Sequence, residues 1–227
     1  MPLAGRAFLA LWNDIAPARE AEYDRWHTRE HVPERVGVPG FRGARRYVHR
    51  ARATHRYFTL YELDRLAVLD SAAYRALVEH PTPWSASMRP DFANFLRVPC
   101  TTTASLGAGI GAAVGVLCHR RTEGDIGATL AALMEWPGVV ACHAGDGGAA
   151  PLGWAAAPAG AAGPRPFDHV LLVEALDRVA AREALAMARD RLRTGALPDD
   201  FGNDVYDLAF AFPGHDADAP ARHARRG

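Results

Sequence analysis

Between Tyr23 and Glu34 the chain carries an unusual set of side chains: Tyr23, Trp26, His27, Glu30, His31 and Glu34. At 100° per residue these six fall within a helical stripe roughly 140° wide. A helix resting on its own sheet normally turns an aliphatic stripe inward, so two aromatics, two histidines and two acids need a separate account. One account is catalytic. His31 acts as general acid/base with His27 beside it, and Glu30 accepts an imidazole N–H, which fixes the tautomer and raises basicity. The other is structural: a buried hydrogen-bonded cluster that ties the helix to the sheet through Arg45 or Arg46. The residues alone leave both open.

Three other patterns suggest chemistry and carry less. His27-Thr28-Arg29-Glu30-His31 has the H-x-x-E-H form in which two histidines share zinc. A metalloprotease needs a third ligand from another helix, and Pro33 is expected to end this one early, so no metal site is expected. Gly107-x-Gly109-x-Gly111 follows a Thr-rich connector and opens a strand, whereas a dinucleotide loop must open a helix. Cys118-His119 and Cys142-His143 sit on strands, where adjacent side chains point to opposite faces and cannot readily aim at one ion. Structural thiols are the better reading. His80, before Pro81, reads as a helix C-terminal cation.

Trp12, Tyr23, Trp26, Tyr47, Tyr61 and Trp84 are candidates for an aromatic cavity wall, which would suit a flat hydrophobic or aromatic ligand. Ordinary core packing is the alternative. Arg46 or Tyr47 could stabilise oxyanion charge that develops during proton transfer.

The elements that must position these groups repeat. Strand RAFLALW, a helix from Pro17 through AREAEYDRWHTREH, a strand over 42–49, strand RYFTLYEL, helix SAAYRALVEH and strand DFANFLRV give βαββαβ. GAAVGVLCHR, DIGATLAALMEW, VVACHAG, DHVLLVEAL, REALAMARDRL and DVYDLAFAF repeat the order. Pro39-Gly40 and Pro137-Gly138 follow the first helix of each half. The reading is α+β: tandem ferredoxin-like βαββαβ modules over 1–104 and 105–215, with a disordered tail at 216–227. Each module's sheet has one face bare of helices, so two modules in one chain close into a pseudo-dimeric barrel with a cavity between the sheets. The Gly/Ala/Pro-rich loop at about 145–166 reads as a lid or a tether.

Trp12-Asn13-Asp14, Tyr23-x-x-Trp26-His27-x-x-Glu30-His31-x-Pro33, Val38-Pro39-Gly40-Phe41, Arg45-Arg46-Tyr47, Tyr57 to Leu63 and Thr82-x-Trp84 together resemble the EthD-like branch of the dimeric α+β barrel superfamily. The likeness covers the first 100 residues. The second half matches in topology only, because DIGATLAALMEW stands where the Trp-His-Glu-His stripe would be. The resemblance implies cofactor-free cyclase, dehydratase or monooxygenase chemistry on a polyketide-like substrate, places His31 at a cavity mouth, and leaves haem handling as a rival. A non-catalytic small-molecule-binding barrel is the rival from outside enzymology. One pocket per chain is expected.

Composition narrows the field. The formal net charge is zero, which argues against a nucleic acid or an anionic membrane as the main partner. No run of 18 apolar residues occurs, and the N-terminus reads as a strand rather than a signal peptide. With only three cysteines, a cytoplasmic setting is expected. All basic residues apart from histidine are Arg, which removes lysine Schiff-base and P-loop lysine chemistry. Whether the chain pairs again into a homodimer is left open.

Overall fold

A computed structural model describes residues 3–120, 122–148, 167–194 and 203–214. The expected lid at 145–166 lies almost wholly, and the expected disordered tail wholly, outside them. In the first half, β1 (Ala7–Ile15), β2 (Phe41–Val48), β3 (Tyr57–Leu63) and β4 (Phe92–Gly107) alternate with helices α1 (Glu20–Trp26), α2 (Val32–Val36), α3 (Ala72–Glu79) and α4 (Pro83–Met88). In the second, β5 (Ala113–His119), α5 (Ile126–Met134), β6 (Val139–Asp146), β7 (His169–Ala175), α6 (Arg178–Leu192) and β8 (Asp204–Pro213) repeat the order. The eight strands close into an antiparallel barrel in the order β1-β3-β2-β8-β5-β7-β6-β4. Each half contributes a β4-β1-β3-β2 type sheet, and the halves are joined by the β2–β8 and β4–β6 pairings. Gly40 and Gly138 both take positive φ, 95° and 82°. The repeated Pro-Gly pairs thus mark the same left-handed turn after each first helix.

Local signals account for most boundaries. Ser71, Asp125 and Asp177 cap α3, α5 and α6 with side-chain oxygens that accept helix N–H groups. Thr82 does the same for α4, with Pro83 in its first turn. That short helix lies between SAAYRALVEH and DFANFLRV, where the sequence assigned no element. Two further expectations are corrected. The Thr-rich connector is no linker, since β4 runs through it for 16 residues, pairing first with β1 and then with β6. The first helix also passes through Pro33 instead of ending there. A π turn over His27–His31 bonds Val32 N–H to the His27 carbonyl, and α2 then continues with Pro33 in its first turn. Proline there has no N–H to give, so the widened turn just before it keeps the helix going.

Among the described residues, the space expected as a cavity between the sheets is filled with side chains. Phe8, Ala10, Trp12, Tyr47, Phe58, Leu60, Val98, Cys100, Val114, Val116, Leu172 and Tyr206 fill the lumen as one buried cluster. Among them sits a polar clasp joining the halves. Arg45 donates to Glu174 Oε1 at 2.7 Å and to Glu62 Oε1 at 2.6 Å, and Tyr47 O–H donates to Glu174 Oε1 at 2.5 Å. The Gly111 and Ala4 amides donate to the remaining oxygens of Glu174 and Glu62. Burial pushes the Glu174 carboxyl up, against the pull of Arg45 and the Tyr47 and Gly111 hydrogen bonds. All of these groups donate to it, so the geometry is that of a carboxylate.

The second half packs its helices tightly on the sheet. Ala181, Ala184 and Ala188 of α6 and Leu130 and Leu133 of α5 bury against Leu117, Leu171, Val173 and Val205. A Cβ on Gly115 would meet Leu185 Cγ at 2.7 Å, so no space remains there. Cys118 belongs to the lumen and Cys142 to this helix-side core.

Arg45→Met would leave two buried carboxylates without their cation, and should cost about 3–5 kcal/mol in urea unfolding. Arg178→Met, which breaks the half-exposed pair with Asp207, should cost about 0–1 kcal/mol. Equal costs would show that the clasp does not join the halves.

Candidate active site

The cavity lies on the other side of the first-half sheet, between its outer face and the helices. Its volume is about 430 Å³, within the range of roughly 300–1,000 Å³ usual for small-molecule sites. Strand alternation selects its floor. Leu9, Leu11 and Asn13 of β1, Tyr61 of β3, and Phe95 and Arg97 of β4 point outward, two residues apart on their strands. The helical layer supplies Tyr23, Trp26, His27, His31 and Arg35, with Tyr74 and Ser85 from α3 and α4 and Arg89 just beyond.

Of the residues singled out in the sequence, Tyr23, Trp26, His27, His31 and Tyr61 meet here. Trp12 and Tyr47 do not, because they sit on inward positions of β1 and β2 and are sealed in the lumen. Tyr47 is committed to Glu174, and so is not available to an oxyanion in this cavity. Arg46 stands behind the site. It pairs with Asp24 at 2.5 Å and stacks under the Tyr23 and Tyr57 rings at 4.6 and 4.8 Å. This is the helix-to-sheet anchor that the structural account anticipated, carried by Asp24 rather than by the histidines. Trp84 packs outside the cavity wall and donates to Glu22 Oε1 at 3.1 Å.

Glu30 also differs from expectation. Its Oε1 accepts from Thr82 Oγ1 at 2.6 Å and Ser85 Oγ at 3.1 Å, not from an imidazole. Ser85 Oγ in turn accepts from Trp26 Nε1 at 3.1 Å, and the His31 ring lies on the Trp26 ring at 4.3 Å. Glu30 therefore positions the tryptophan on which His31 rests. The His27 and His31 rings are 5.4 Å apart, and Nδ1 of each is buried without a partner. The Tyr61 hydroxyl is likewise buried and unpartnered. Tyr23 O–H donates to Asn13 Oδ1 at 3.1 Å, and burial pushes its pKa up to about 12.

The electrostatics are one-sided. Burial, reinforced by Arg46, His31 and Arg35, holds His27 well below the ordinary imidazole range. Burial and the charges of Arg35, Arg89 and Arg97 do the same to His31. Both rings are thus neutral near pH 7, able to accept a proton but weakly basic. Arg35, Tyr74, Arg89 and Arg97 were missed in the sequence. Arg35 lies one turn beyond His31 on a helix expected to stop at Pro33, and Arg97 shares a strand face with Phe95 only once the direction of β4 is known. Among the described residues no group of three or more His, Cys, Asp or Glu side chains is arranged to hold a metal. No described helix is long and apolar enough to cross a membrane.

Depressed imidazoles make acid stability a readout of this burial. Below the unfolded-state pKa of about 6.5 the unfolded chain binds more protons than the folded one, so stability should fall as pH drops. Each histidine contributes up to about 1.4 kcal/mol per pH unit. Replacing His27 by Gln should flatten the fall between pH 6.5 and 5 by about one histidine's share in urea titrations. An unchanged slope would show that His27 titrates normally.

No family model and no curated protein matches the chain. Solved structures do. An anthrone oxidase-like protein superposes with a TM-score of 0.59 at 11% identity, covering 95% of this chain and 97% of its own. A protein provisionally described as a monooxygenase from Fusobacterium nucleatum gives 0.55 at 11%, covering 92% and 95%. Chlorite dismutase from Candidatus Nitrospira defluvii, solved with imidazole, gives 0.52 at 9%, covering 91% and 92%. At such identities the likeness is one of fold. Two βαββαβ modules closed into one eight-stranded barrel, over nearly the full length of these proteins, give this chain the dimeric α+β barrel fold.

Proposed function

We propose that this cavity is the active site of a cofactor-independent enzyme that moves a proton on a small aromatic or polyketide-like substrate, with His31 as general base. The observation that carries the reading is a pair of buried imidazoles, kept neutral by burial and nearby arginines, in a cavity whose wall is largely aromatic and aliphatic and also holds Arg35, Arg89 and Arg97. His31 takes a proton from an acidic carbon beside a carbonyl. The enolate oxygen that results is met by the Tyr61 O–H, a buried donor with no protein partner among the described residues. Tyr61 thus takes the part that the sequence had suggested for Arg46 or Tyr47. With no carboxylate on its Nδ1, His31 is a weak base, which suits an already acidic carbon acid such as an anthrone or a 1,3-diketone. Deprotonation of this kind opens cyclisation, dehydration and oxygenation by dioxygen alike. The names of the oxidase-like and monooxygenase neighbours support the last of these. Membership of the EthD-like branch is proposed on the Trp26-His27 and Glu30-His31 segment.

Haem handling fits these residues less well. Burial is the main cause that keeps a proton off His31, and the field of Arg35, Arg89 and Arg97 that adds to it also opposes a metal cation on the same imidazole. No step is therefore assigned to haem, and adding hemin should give no Soret shift that depends on His31. A shift that His31→Ala abolishes would favour the haem reading.

The direct test is proton exchange at C10 of anthrone in D2O, followed by NMR. The wild-type protein should accelerate exchange, and His31→Asn should lose about 10²–10⁴-fold of that acceleration while keeping its circular dichroism spectrum. If the variant exchanges at the wild-type rate, His31 is not the base.

A further inference from the structure

The cavity wall contains three arginines from three separate elements and, among the described residues, no carboxylate. Several arginines elsewhere in the chain have an acidic partner: Arg45 has Glu62 and Glu174, Arg46 has Asp24, and Arg178 has Asp207. Arg35 is different. It is only 9% exposed, and its Nη1 is buried without any hydrogen-bond partner. Its one described side-chain contact is with the ring of Tyr74, which lies 5.6 Å below the guanidinium. Tyr74 also accepts a hydrogen bond on its hydroxyl from Arg97 at 3.0 Å. A single aromatic side chain therefore holds two cations at one end of the cavity. Arg89, steadied by the Val78 carbonyl at 2.7 Å, adds a third on the wall.

A buried guanidinium with an open donor is costly unless something of opposite charge joins it. The neighbouring Glu34 feels the Arg35 charge, but among the described residues no group hydrogen-bonds to Arg35 Nη1. A guanidinium also presents paired N–H donors whose fork matches a planar carboxylate. Leu11, Phe41, Phe92 and Phe95 give the same wall a broad apolar surface.

We propose that the substrate of this site is an aromatic acid, with its carboxylate paired to Arg35 at the Tyr74 end and its ring system lying against the phenylalanines toward His31. The proposal rests on the cavity being the active site and adds the class of substrate. Arg35 is assigned as a binding and specificity residue. Arg97 supports it through Tyr74, and Arg89 contributes longer-range attraction. A carboxylate at Arg35 would fix which carbon of the ring system faces His31, so the same contact sets both affinity and regiochemistry.

The test is binding of two probes of the same shape, 1-naphthoate and 1-naphthamide, measured by calorimetry at low salt. The wild-type protein should bind naphthoate at least about ten-fold more tightly, the least expected of one charge-assisted pair. Arg35→Gln should abolish that preference and Arg35→Lys should retain part of it, while His31→Asn should leave it intact. Equal affinity of the wild-type protein for both probes would overturn the proposal without using any variant. So would a preference that survives in folded Arg35→Gln protein. Because no turnover is measured, loss of the charge preference stands apart from failure of His31 as a base.

Discussion

Every strand in a closed barrel has a lumen face and an outer face, and side chains alternate between them. In this chain that alternation decides where chemistry can occur. The lumen is taken by a continuous buried cluster and by the Arg45, Glu62, Glu174 and Tyr47 clasp. A ligand could enter only by breaking the contacts that hold the two halves together. The remaining room is on the outer face, under the helices, where β1, β3 and β4 send every second residue. Tyr61 and Glu62 are neighbours in sequence, yet one lines the cavity and the other anchors the barrel.

The same architecture occurs twice in the chain, and the two halves differ in how closely the helices meet the sheet. In the second half, alanines on α6 bring the helix down onto Gly115 and its neighbours, and the space closes. In the first half, the layer between helix and sheet is built from rings. Tyr23, Trp26, His27 and Phe92 contact one another at centroid distances of 5.3 to 5.9 Å. Large rings set the helix away from the strands and cannot fill the gap as aliphatic side chains would. The π turn falls on the segment that carries both histidines, and the helix then continues far enough to add Arg35. Packing, helix geometry and charge thus converge on one pocket.

The fold was legible because each element carries its own signal: alternation for strands, capping residues and proline for helix starts, and Pro-Gly pairs for the matching turns. The histidine stripe was legible for the same reason, since spacing along a helix is a local property. The side of the sheet holding the cavity was not, because the composition of Phe8-Leu9-Ala10-Leu11-Trp12 is apolar on both faces. Trp12 was misplaced for that reason. Glu30 was misassigned because its partners, Thr82 and Ser85, lie about fifty residues away on a helix too short to recognise by periodicity. Arg35 was hidden by the rule that proline ends a helix, which a π turn can evade.

The most direct measurement is a crystal structure of the protein with a bound aromatic ligand. Density is expected between the helices and the outer face of the first-half sheet, with a ligand oxygen near Tyr61 and the ring system beside His31. Density within the barrel lumen against Trp12 and Tyr47, or at a site away from both histidines, would contradict that placement.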